Sequence, residues 1–396
     1  MTQQPLSGVR VVDLTRVLSG PFCTMLLADM GADVVKVEPP GGGDTVRGAG
    51  DLKAGMSWYF AAFNRNKRSV TIDMRSSEGK EILDRLVANA DVLVENFRPG
   101  VLAEMGLDQA RLDALNPRLV VASINGYGST GPYVDRPAFD FIAQAMSGLM
   151  ATTGAPGGEP MRAALPITDL IAGLYCAFGI VNALHARAKT GRGQRVEAAM
   201  VNGMVSMLAY LASEYFAQGK EPERTGNDHP ICAPYGLFRA KDGDIAVAPA
   251  TKETLERFMR TIGLSEMLER PEYRTVAQRH ARRDDFRAPI NERLATDTQD
   301  NWIERLNAAG VPCGKVLSIG EVFDDPQVKA QEMVLDVDHG KYGVVRMVGF
   351  PVKLSDTPCA IRRPAPGYGE HTAEVLSELG FSESELAELK ARKIVS

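Results

Sequence analysis

The chain has 396 residues, of which 44% are hydrophobic, 7% aromatic and 24% charged, and its formal net charge is −5. This balance is typical of a soluble globular enzyme and argues against a disordered or fibrous protein. It also argues against a nucleic-acid partner, because surfaces that bind nucleic acid carry a basic excess.

The cysteines are scattered and never spaced as CxxC, which argues against both a disulfide framework and a zinc site. They are Cys23, Cys176, Cys232, Cys313 and Cys359. The N-terminal segment lacks a basic stretch followed by an apolar one, so no secretory signal is predicted. We therefore expect a cytoplasmic protein without a metal.

Two apolar runs require a test for membrane insertion. Leu170–Leu184 is too short to span a bilayer, and Ala198–Ala217 is interrupted by Asn202 and Glu214. Both runs are predicted to be buried helices, and no membrane contact is expected.

Strands and helices alternate along the first part of the chain. Val9–Leu14, Pro21–Met30 and Ala32–Val37 predict strand, helix and strand. The same pattern continues as strand, helix, strand and strand in Ser69–Ile72, Ser77–Asn89, Asp91–Glu95 and Leu119–Ile124. Such alternation predicts an α/β fold with a parallel sheet covered by helices on both faces.

The pattern changes in the second half of the chain. A strand pair within Gly236–Ala248 and an amphipathic helix at Lys252–Ile262 indicate a smaller α+β domain. We predict a large domain over residues 1–200, a linking helix over 201–224, the small domain over 225–318, and a return to the large domain over 319–396. The tail contains strands within Gly343–Val352 and a terminal helix capped by Ser382 and Glu385.

A βαβ start raises the hypothesis of a dinucleotide-binding enzyme, and Glu38 ends the second strand where a ribose-binding acid would lie. That hypothesis requires G-x-G-x-x-G between the first strand and the helix. The chain has the sequence LTRVLSG at Leu14–Gly20 instead, which disfavours a nicotinamide dehydrogenase.

Basic residues lie near the ends of predicted strands, where open α/β sheets bind ligands. They are Arg16, Lys36, Arg47, the run Arg65–Arg68, and Arg98. Lysine and arginine at such ends are suited to holding phosphates. A solvated charged surface is an equally good interpretation of the pattern alone.

Asp140 lies between Phe139 and Phe141 in an apolar stretch. A buried acid is costly unless it is paired or hydrogen-bonded, so it marks either a functional site or a helix cap. The same two interpretations apply to Asp169, which follows Thr168 at the start of a predicted helix.

Short motifs along the chain resemble those of class III CoA-transferases, the family of formyl-CoA transferase and carnitine CoA-transferase. In the first half they are Asp13–Pro21, Gly31–Glu38, Asn64–Ser69, Glu95–Gly100 and Phe139–Asp140. They continue through Thr168–Leu170, Lys189–Gln194, Ala233–Tyr235, Asp242–Gly243, Gly310–Pro312 and Asp325–Gln327. The resemblance covers nearly the whole chain in order.

The resemblance implies a Rossmann-like large domain built from both chain ends, an inserted small domain, and two ring-shaped subunits interlocked as a homodimer. It implies coenzyme A and acyl-CoA as substrates, with no tightly bound cofactor. The implied CoA contacts are Arg16, Val17, Leu18, Asn66, Lys67, Asn96, Phe97, Arg98, Asn125 and Tyr127. Asn125 and Pro39 stand where some family members have basic residues.

The resemblance also maps the family's nucleophilic aspartate onto Asp140. A carboxylate is ionised at neutral pH, so it can attack a thioester without a general base. The implied intermediates are an aspartyl mixed anhydride and an aspartyl-CoA thioester. Asp169 ranks second, with an orienting role, because a helix N-terminus would keep it ionised. The loops Gly126–Gly128 and Gly154–Gly158 could either donate to oxyanions or serve as turns.

Related racemases place a histidine immediately before the aspartate, where this chain has Phe139. Phenylalanine cannot carry a proton, which disfavours a 2-methylacyl-CoA racemase. That racemase and a non-catalytic CoA-binding protein are the alternative hypotheses. The nearest resemblance is to members that use dicarboxylates such as succinate or glutarate. Arg47 and Arg162 are the candidates to bind a distal carboxylate, although a monocarboxylate or carnitine-like acceptor remains open.

Overall fold

The computed structural model describes residues 3–50, 52–53 and 55–396. These residues form two compact units. The larger comprises Met1–Leu149, Ala163–Ala209 and Gln327–Ser396, and the smaller comprises Met150–Arg162 and Tyr210–Pro326. Both units are discontinuous in sequence. The predicted large domain was discontinuous too, and the return to it lies at Gln327 and not at residue 319. No single linking helix spans residues 201–224.

Strands and helices alternate along much of the chain. Up to residue 199 they are β1 (Arg10–Asp13), α1 (Ser19–Asp29), β2 (Asp33–Glu38), β3 (Leu52–Lys53), β4 (Met56–Ser57), α2 (Trp58–Asn64), β5 (Lys67–Thr71), α3 (Ser77–Ala88), β6 (Val92–Glu95), α4 (Val101–Glu104), α5 (Gln109–Leu115), β7 (Val120–Asn125), α6 (Asp140–Met146), α7 (Leu149–Thr152), α8 (Ile167–Thr190) and β8 (Arg195–Ala199). After it come α9 (Met200–Ser206), α10 (Ala209–Gln218), β9 (Gly236–Arg239), β10 (Asp244–Val247), α11 (Lys252–Thr261), α12 (Val276–Ala281), α13 (Arg283–Leu294), α14 (Gln299–Ala308), β11 (Cys313–Lys315), α15 (Ile319–Asp324), α16 (Pro326–Ala330), β12 (Val334–Asp338), β13 (Val344–Val348), α17 (Thr372–Glu378) and α18 (Glu383–Ala391). Short 3-10 turns occupy Thr45–Gly48, Ser265–Glu269, Pro271–Tyr273 and Gly340–Tyr342.

The larger unit is built on a six-stranded sheet in the order β5-β2-β1-β6-β7-β8, and all its neighbouring strands are parallel. The predicted parallel α/β sheet is therefore confirmed. Its sixth strand, β8, was not predicted, because its apolar C-terminal half was assigned to a helix. The direction of winding reverses between β1 and β6, and open α/β sheets bind ligands beside such a reversal, at the carboxyl ends of the strands.

Successive residues of the strands contribute to two separate cores, because side chains alternate across a sheet. Val11 packs with α1 and α8 on one face, whereas Val12 packs with α3, α5, α17 and α18 on the other. The helices of the C-terminal segment thus complete the core of the larger unit. This arrangement leaves the carboxyl ends of the strands as the open edge.

Helix α8 is longer and less buried than predicted. It has 24 residues, so by length and composition alone it could cross a membrane, which is weak evidence for a span. Ala172, Cys176 and Ile180 pack on the sheet, while Leu174 and Phe178 are 54% and 66% exposed. The helix that contains this run is therefore longer than predicted, and one face of it is buried while the other is exposed.

The smaller unit contains the predicted strand pair. Strands β9 and β10 form an antiparallel hairpin, and β11 pairs with β10. Helices α11, α13 and α14 pack on these strands around Phe238, Phe258 and Trp302. The tail strands β12 and β13 pair with each other and belong to the larger unit.

Candidate active site

A cavity of about 740 Å³ lies at the carboxyl ends of β1, β2 and β6 in the larger unit. Arg16 lines it from the loop after β1, and its guanidinium lies 5.0 Å from the ring centroid of Phe97, which follows β6. Asn96 joins the same two loops, because its amide accepts from the Arg16 N–H and donates to the Arg16 carbonyl. An aromatic ring beside a cation and a groove of this size suit a nucleotide.

Three cations that the sequence analysis did not identify also line this cavity: Arg75, Lys80 and Lys393. Among the described residues, none of them forms an ion pair with a protein carboxylate. Lys393 reaches the cavity because the C-terminal tail is fixed against β5, where the Asp73 N–H donates to the Ile394 carbonyl at 2.7 Å. Only the fold brings Lys393 beside Arg75, so no sequence motif could have revealed this cluster.

Of the predicted CoA contacts, Arg16 and Phe97 line the cavity and the others do not. Leu18 is buried at 3% exposure, while Arg98 is exposed and Val17 is half-buried. Asn125 and Tyr127 lie at the end of β7, in a turn closed by the Gly128 N–H donating to the Asn125 side chain at 2.6 Å. The Tyr127 hydroxyl donates to the sulfur of Met146.

Lys67 lies in the core and not in the cavity. Its ammonium donates to Asp13 at 3.1 Å, to the Pro21 carbonyl at 3.0 Å and to Asn64 at 2.9 Å, and the side chain is fully buried. Burial lowers the pKa of Lys67 to about 8. Because all three N–H bonds are used, the prediction that Lys67 contacts CoA is wrong for its side chain.

The rest of the predicted basic run is structural as well. The Asn66 amide group donates to Asp29 and to the Ala360 carbonyl, so Asn66 is not a CoA contact through its side chain either. Arg65 pairs with Asp29 at 2.8 Å. Arg68 pairs with Asp33, Glu374 and Glu378. The run therefore stabilises the fold, because its side chains bind protein groups and not a ligand.

Arg47 was predicted to bind a substrate carboxylate, and the structure contradicts this. Its guanidinium forms a bidentate pair with Glu38, with both N···O distances 2.7 Å, and donates to the Pro366 carbonyl at 3.1 Å. It also lies over the Phe60 ring. Arg162 lies in the smaller unit and is exposed.

Asp140 is the first residue of α6 and is 9% exposed. One carboxylate oxygen accepts from the N–H and the hydroxyl of Thr168, at 2.9 Å and 2.8 Å. The other accepts from the Gln144 amide at 2.7 Å. The carboxylate therefore accepts from an N–H in the first turn of α8, whereas it does not cap its own helix, whose N-cap residue is Phe139.

Asp169 lies one residue beyond Thr168, in the first turn of α8, and is half-buried. Burial raises the pKa of Asp169 to about 7, the negative charge of Asp140 adds to this rise, and a hydrogen bond from Ser19 opposes it. The expectation that the helix N-terminus keeps this acid firmly ionised is therefore wrong. Burial and the neighbouring charge outweigh the helix dipole here.

Tyr59, at the start of α2, faces the same acids. Burial raises the pKa of Tyr59, and the charges of Asp169, Asp44 and Asp140 contribute to the shift. No motif marks an isolated tyrosine, so the sequence alone could not indicate this residue. Two acids, a serine and a tyrosine thus converge at the N-terminus of α8 and the start of α1, a combination of perturbed groups that is typical of an active site.

The two glycine loops form turns. The Gly128 N–H is used by Asn125, and the Gly158 N–H donates to the Ala155 carbonyl at 2.9 Å. These two N–H groups therefore bond within their own turns, so they act as turn donors and not as donors to an oxyanion.

Comparison with known proteins identifies the class of enzyme. Residues 6–372 match the profile of the family described as CoA-transferase family III. The chain is 38% identical over 382 residues to succinate–glutarate CoA-transferase of Agrobacterium fabrum, which covers 95% of this chain and 96% of that protein. It is 40% identical over 408 residues to formyl-CoA:oxalate CoA-transferase of Rhodopseudomonas palustris, covering 97% and 96% of the two chains.

A solved structure shares the fold. The crystal structure of a CAIB/BAIF family protein from Brucella suis superposes with a TM-score of 0.85 and 39% identity, covering 95% of this chain and all of that one. The chain belongs to CoA-transferase family III. It is a CoA-transferase, and enzymes of this class use CoA thioesters as substrates.

Proposed function

We propose that this enzyme moves coenzyme A between carboxylic acids through a covalent intermediate on Asp169. The observation that supports this proposal is the contrast between the two neighbouring acids. Asp140 has both carboxylate oxygens occupied by hydrogen bonds, whereas Asp169 is half-buried, carries a raised pKa and accepts from Ser19. A poorly solvated carboxylate with a raised pKa is the stronger nucleophile. This replaces Asp140, to which the sequence resemblance had assigned the role.

The proposed reaction begins with attack of the ionised Asp169 carboxylate on the thioester carbonyl. The C–S bond breaks, CoA leaves as a thiolate, and an acyl-aspartyl mixed anhydride forms. The thiolate attacks the aspartyl carbonyl, which releases the donor acid and leaves an aspartyl-CoA thioester. The acceptor carboxylate then reverses the two steps. Asp169 is regenerated as a carboxylate, and no proton is gained or lost over the cycle.

The proposal places the nucleotide of CoA in the cavity at the carboxyl ends of β1, β2 and β6. Arg16 and Phe97 would flank the base, and the phosphates would meet Arg75, Lys80 and Lys393. The sheet order supports this placement, because it is that of a Rossmann-like domain, in which nucleotides bind at the reversal between β1 and β6.

We further propose dicarboxylates as the exchanged acids. The name of the Agrobacterium fabrum relative, succinate–glutarate CoA-transferase, supports this choice. Arg47 is paired to Glu38, and Arg162 belongs to the smaller unit, so neither arginine is assigned to the distal carboxylate.

The test is a matrix of CoA donors and acid acceptors analysed by mass spectrometry. We expect succinyl-CoA to be used in preference to acetyl-CoA or butyryl-CoA. Equal use of monocarboxylate donors by the unaltered enzyme would contradict the dicarboxylate proposal.

The proposed working unit is an interlocked homodimer in the cytoplasm. Leu174, Tyr175, Phe178 and Val181 on α8 are between 40% and 66% exposed, and an apolar face of this kind marks an interface. All five cysteines are free, which suits a reducing compartment.

Light scattering should give a mass twice the 42.8 kDa of one chain, unchanged on dilution to micromolar concentration. The double substitution Leu174→Glu with Phe178→Glu should abolish the dimer, because two buried charges would lack partners. Lys189→Glu, in the last turn of the same helix, is the control and should leave the dimer intact. An unaltered protein of single-chain mass would contradict the proposal.

A further inference from the structure

Side chains hold the backbone of the loop that follows β1. The Thr15 N–H donates to Asp13 at 2.8 Å, and the Thr15 carbonyl accepts from the Lys36 ammonium at 2.7 Å. Both backbone groups of Arg16 bond to the amide of Asn96, at 2.9 Å and 2.8 Å. Side chains thus satisfy backbone groups of a loop that lies outside helices and strands.

Val17, the next residue, has a left-handed backbone conformation with φ of 68°. A β-branched residue rarely adopts this conformation, and it persists only where its surroundings hold it. Here the Val17 N–H donates to Asp44 at 3.1 Å. Asp44 forms an ion pair with Lys36 at 3.0 Å, and both side chains are at most 1% exposed.

The strained residue separates two parts of the proposed site. Arg16, on one side of Val17, lines the nucleotide cavity. Ser19, two residues beyond Val17 and the first residue of α1, lies close enough to Asp169 to lower the pKa of that carboxyl. A change in the backbone at Val17 would therefore move the cavity wall and the hydrogen bond to the nucleophile together.

We propose that Lys36 and Asp44 are positioning residues for CoA transfer. Their buried ion pair holds Val17 in its left-handed conformation, so that Arg16 faces the nucleotide while Ser19 stays on Asp169. Asp44 lines the cavity, but its side chain is only 1% exposed and that of Lys36 is fully buried, so the pair acts through Val17 and not through direct contact with substrate. The inference rests on the proposed function. It explains why Lys36 and Asp44 form a buried ion pair beside the loop after β1.

The experiment compares substitutions at Asp44 and Val17. Asp44→Ala should lower kcat/KM about tenfold or more, with kcat and KM both affected, because small misplacements of catalytic groups are costly. In the Asp44→Ala background, Val17→Gly should recover part of the loss, since glycine adopts positive φ without strain. In the same background, Val17→Ala removes all of the valine side chain except Cβ. It should recover much less of the lost kcat/KM, because alanine is still strained at positive φ.

The control breaks a different buried ion pair of the same unit. Asp29→Asn removes the partner of Arg65, whose side chain is nearly as enclosed as that of Lys36, and should lower the unfolding temperature without changing KM for the CoA donor. If Asp44→Ala does not fold, Asp44→Asn takes its place, because it keeps an acceptor for Val17 and loses only the charge.

Two results would overturn the inference. One is a folded Asp44 variant with kcat/KM within about twofold of the unaltered enzyme. The other is equal activity of the glycine and alanine double variants, which would make the ion pair purely structural. Calorimetric binding of CoA separates this test from the proposed function. If the unaltered protein binds CoA but transfers none, the CoA affinities of the two double variants replace kcat/KM as the measurement. A higher affinity in the glycine variant supports the positioning role, and equal affinities contradict it.

Discussion

Replacing Asp169 with Asn should lower CoA transfer by roughly a thousandfold or more, because the amide cannot form an anhydride with the acyl group. The substitution keeps the shape of the side chain and removes a carboxylate whose pKa burial raises to about 7. The fold should therefore survive. Circular dichroism and a thermal melt check the fold, and steady-state transfer between two acids gives the rate.

Chemical trapping identifies the covalent residue directly. Incubation of the unaltered enzyme with an acyl-CoA donor and then hydroxylamine should convert one aspartate to its hydroxamate. Peptide mass spectrometry should find it at Asp169 and find none in the Asp169→Asn protein. A hydroxamate at Asp140 would restore the assignment that the sequence resemblance made.

Asp140 provides the matched comparison, because it is the adjacent acid. Its carboxylate accepts three hydrogen bonds from Thr168 and Gln144. Asp140→Asn should lower the free energy of unfolding by about 1–3 kcal/mol, since one of the former donors then faces an amide N–H. Its transfer rate should fall far less than that of Asp169→Asn. Equal losses in the two variants would show that the acids act as a single unit.

The sequence predicted the sheet because its strands are short β-branched runs with helical stretches between them. Val9–Leu14 and Ala32–Val37 correspond to β1 and β2 within a residue or two. Strand β8 was missed for a physical reason. It lies at the edge of the sheet, so Arg195 and Glu197 face solvent while Ala198 and Ala199 merge with the apolar helix that follows.

The candidate site was predicted less well, because partners distant in sequence determine whether a charge is free. Arg47 lies in the 3-10 turn after β2 and Lys67 begins β5, yet Glu38 and Asp13 neutralise both of them. Lys393 has no motif and reaches the cavity through the packing of the tail. The distinction between Asp140 and Asp169 likewise depends on Thr168, whose N–H and hydroxyl both bond to Asp140 in the folded chain.

Transfer activity should fall as the pH drops through about 7, because only the ionised Asp169 attacks the thioester and its pKa is raised to about 7. Below that value, kcat/KM should decrease about tenfold per pH unit, which gives a loss of roughly a hundredfold by pH 5. An ordinary aspartate would lose almost nothing over this range. Measurement of kcat/KM from pH 5 to pH 9 checks the prediction.

The Asp140→Asn variant tests the cause of this profile. The charge of Asp140 contributes to the raised pKa of Asp169, so its removal should move the acid limb to lower pH. A profile that is flat down to pH 5 in the unaltered enzyme would contradict the assignment of Asp169. An acid limb that stays in place in Asp140→Asn would mean that burial alone raises the pKa.

The same pKa predicts a stability effect with a definite sign. The folded protein holds a proton on Asp169 more tightly than the unfolded chain does, whose aspartate titrates near 3.8. Folding is therefore progressively disfavoured as the pH rises from about 4 to about 7, when the half-buried carboxylate must ionise. Asp169→Asn carries no such cost. It should melt at a higher temperature than the unaltered enzyme at pH 8, and the difference should shrink at pH 5. A difference that is independent of pH would show that the carboxylate is ionised at ordinary pH, and the raised pKa would be wrong.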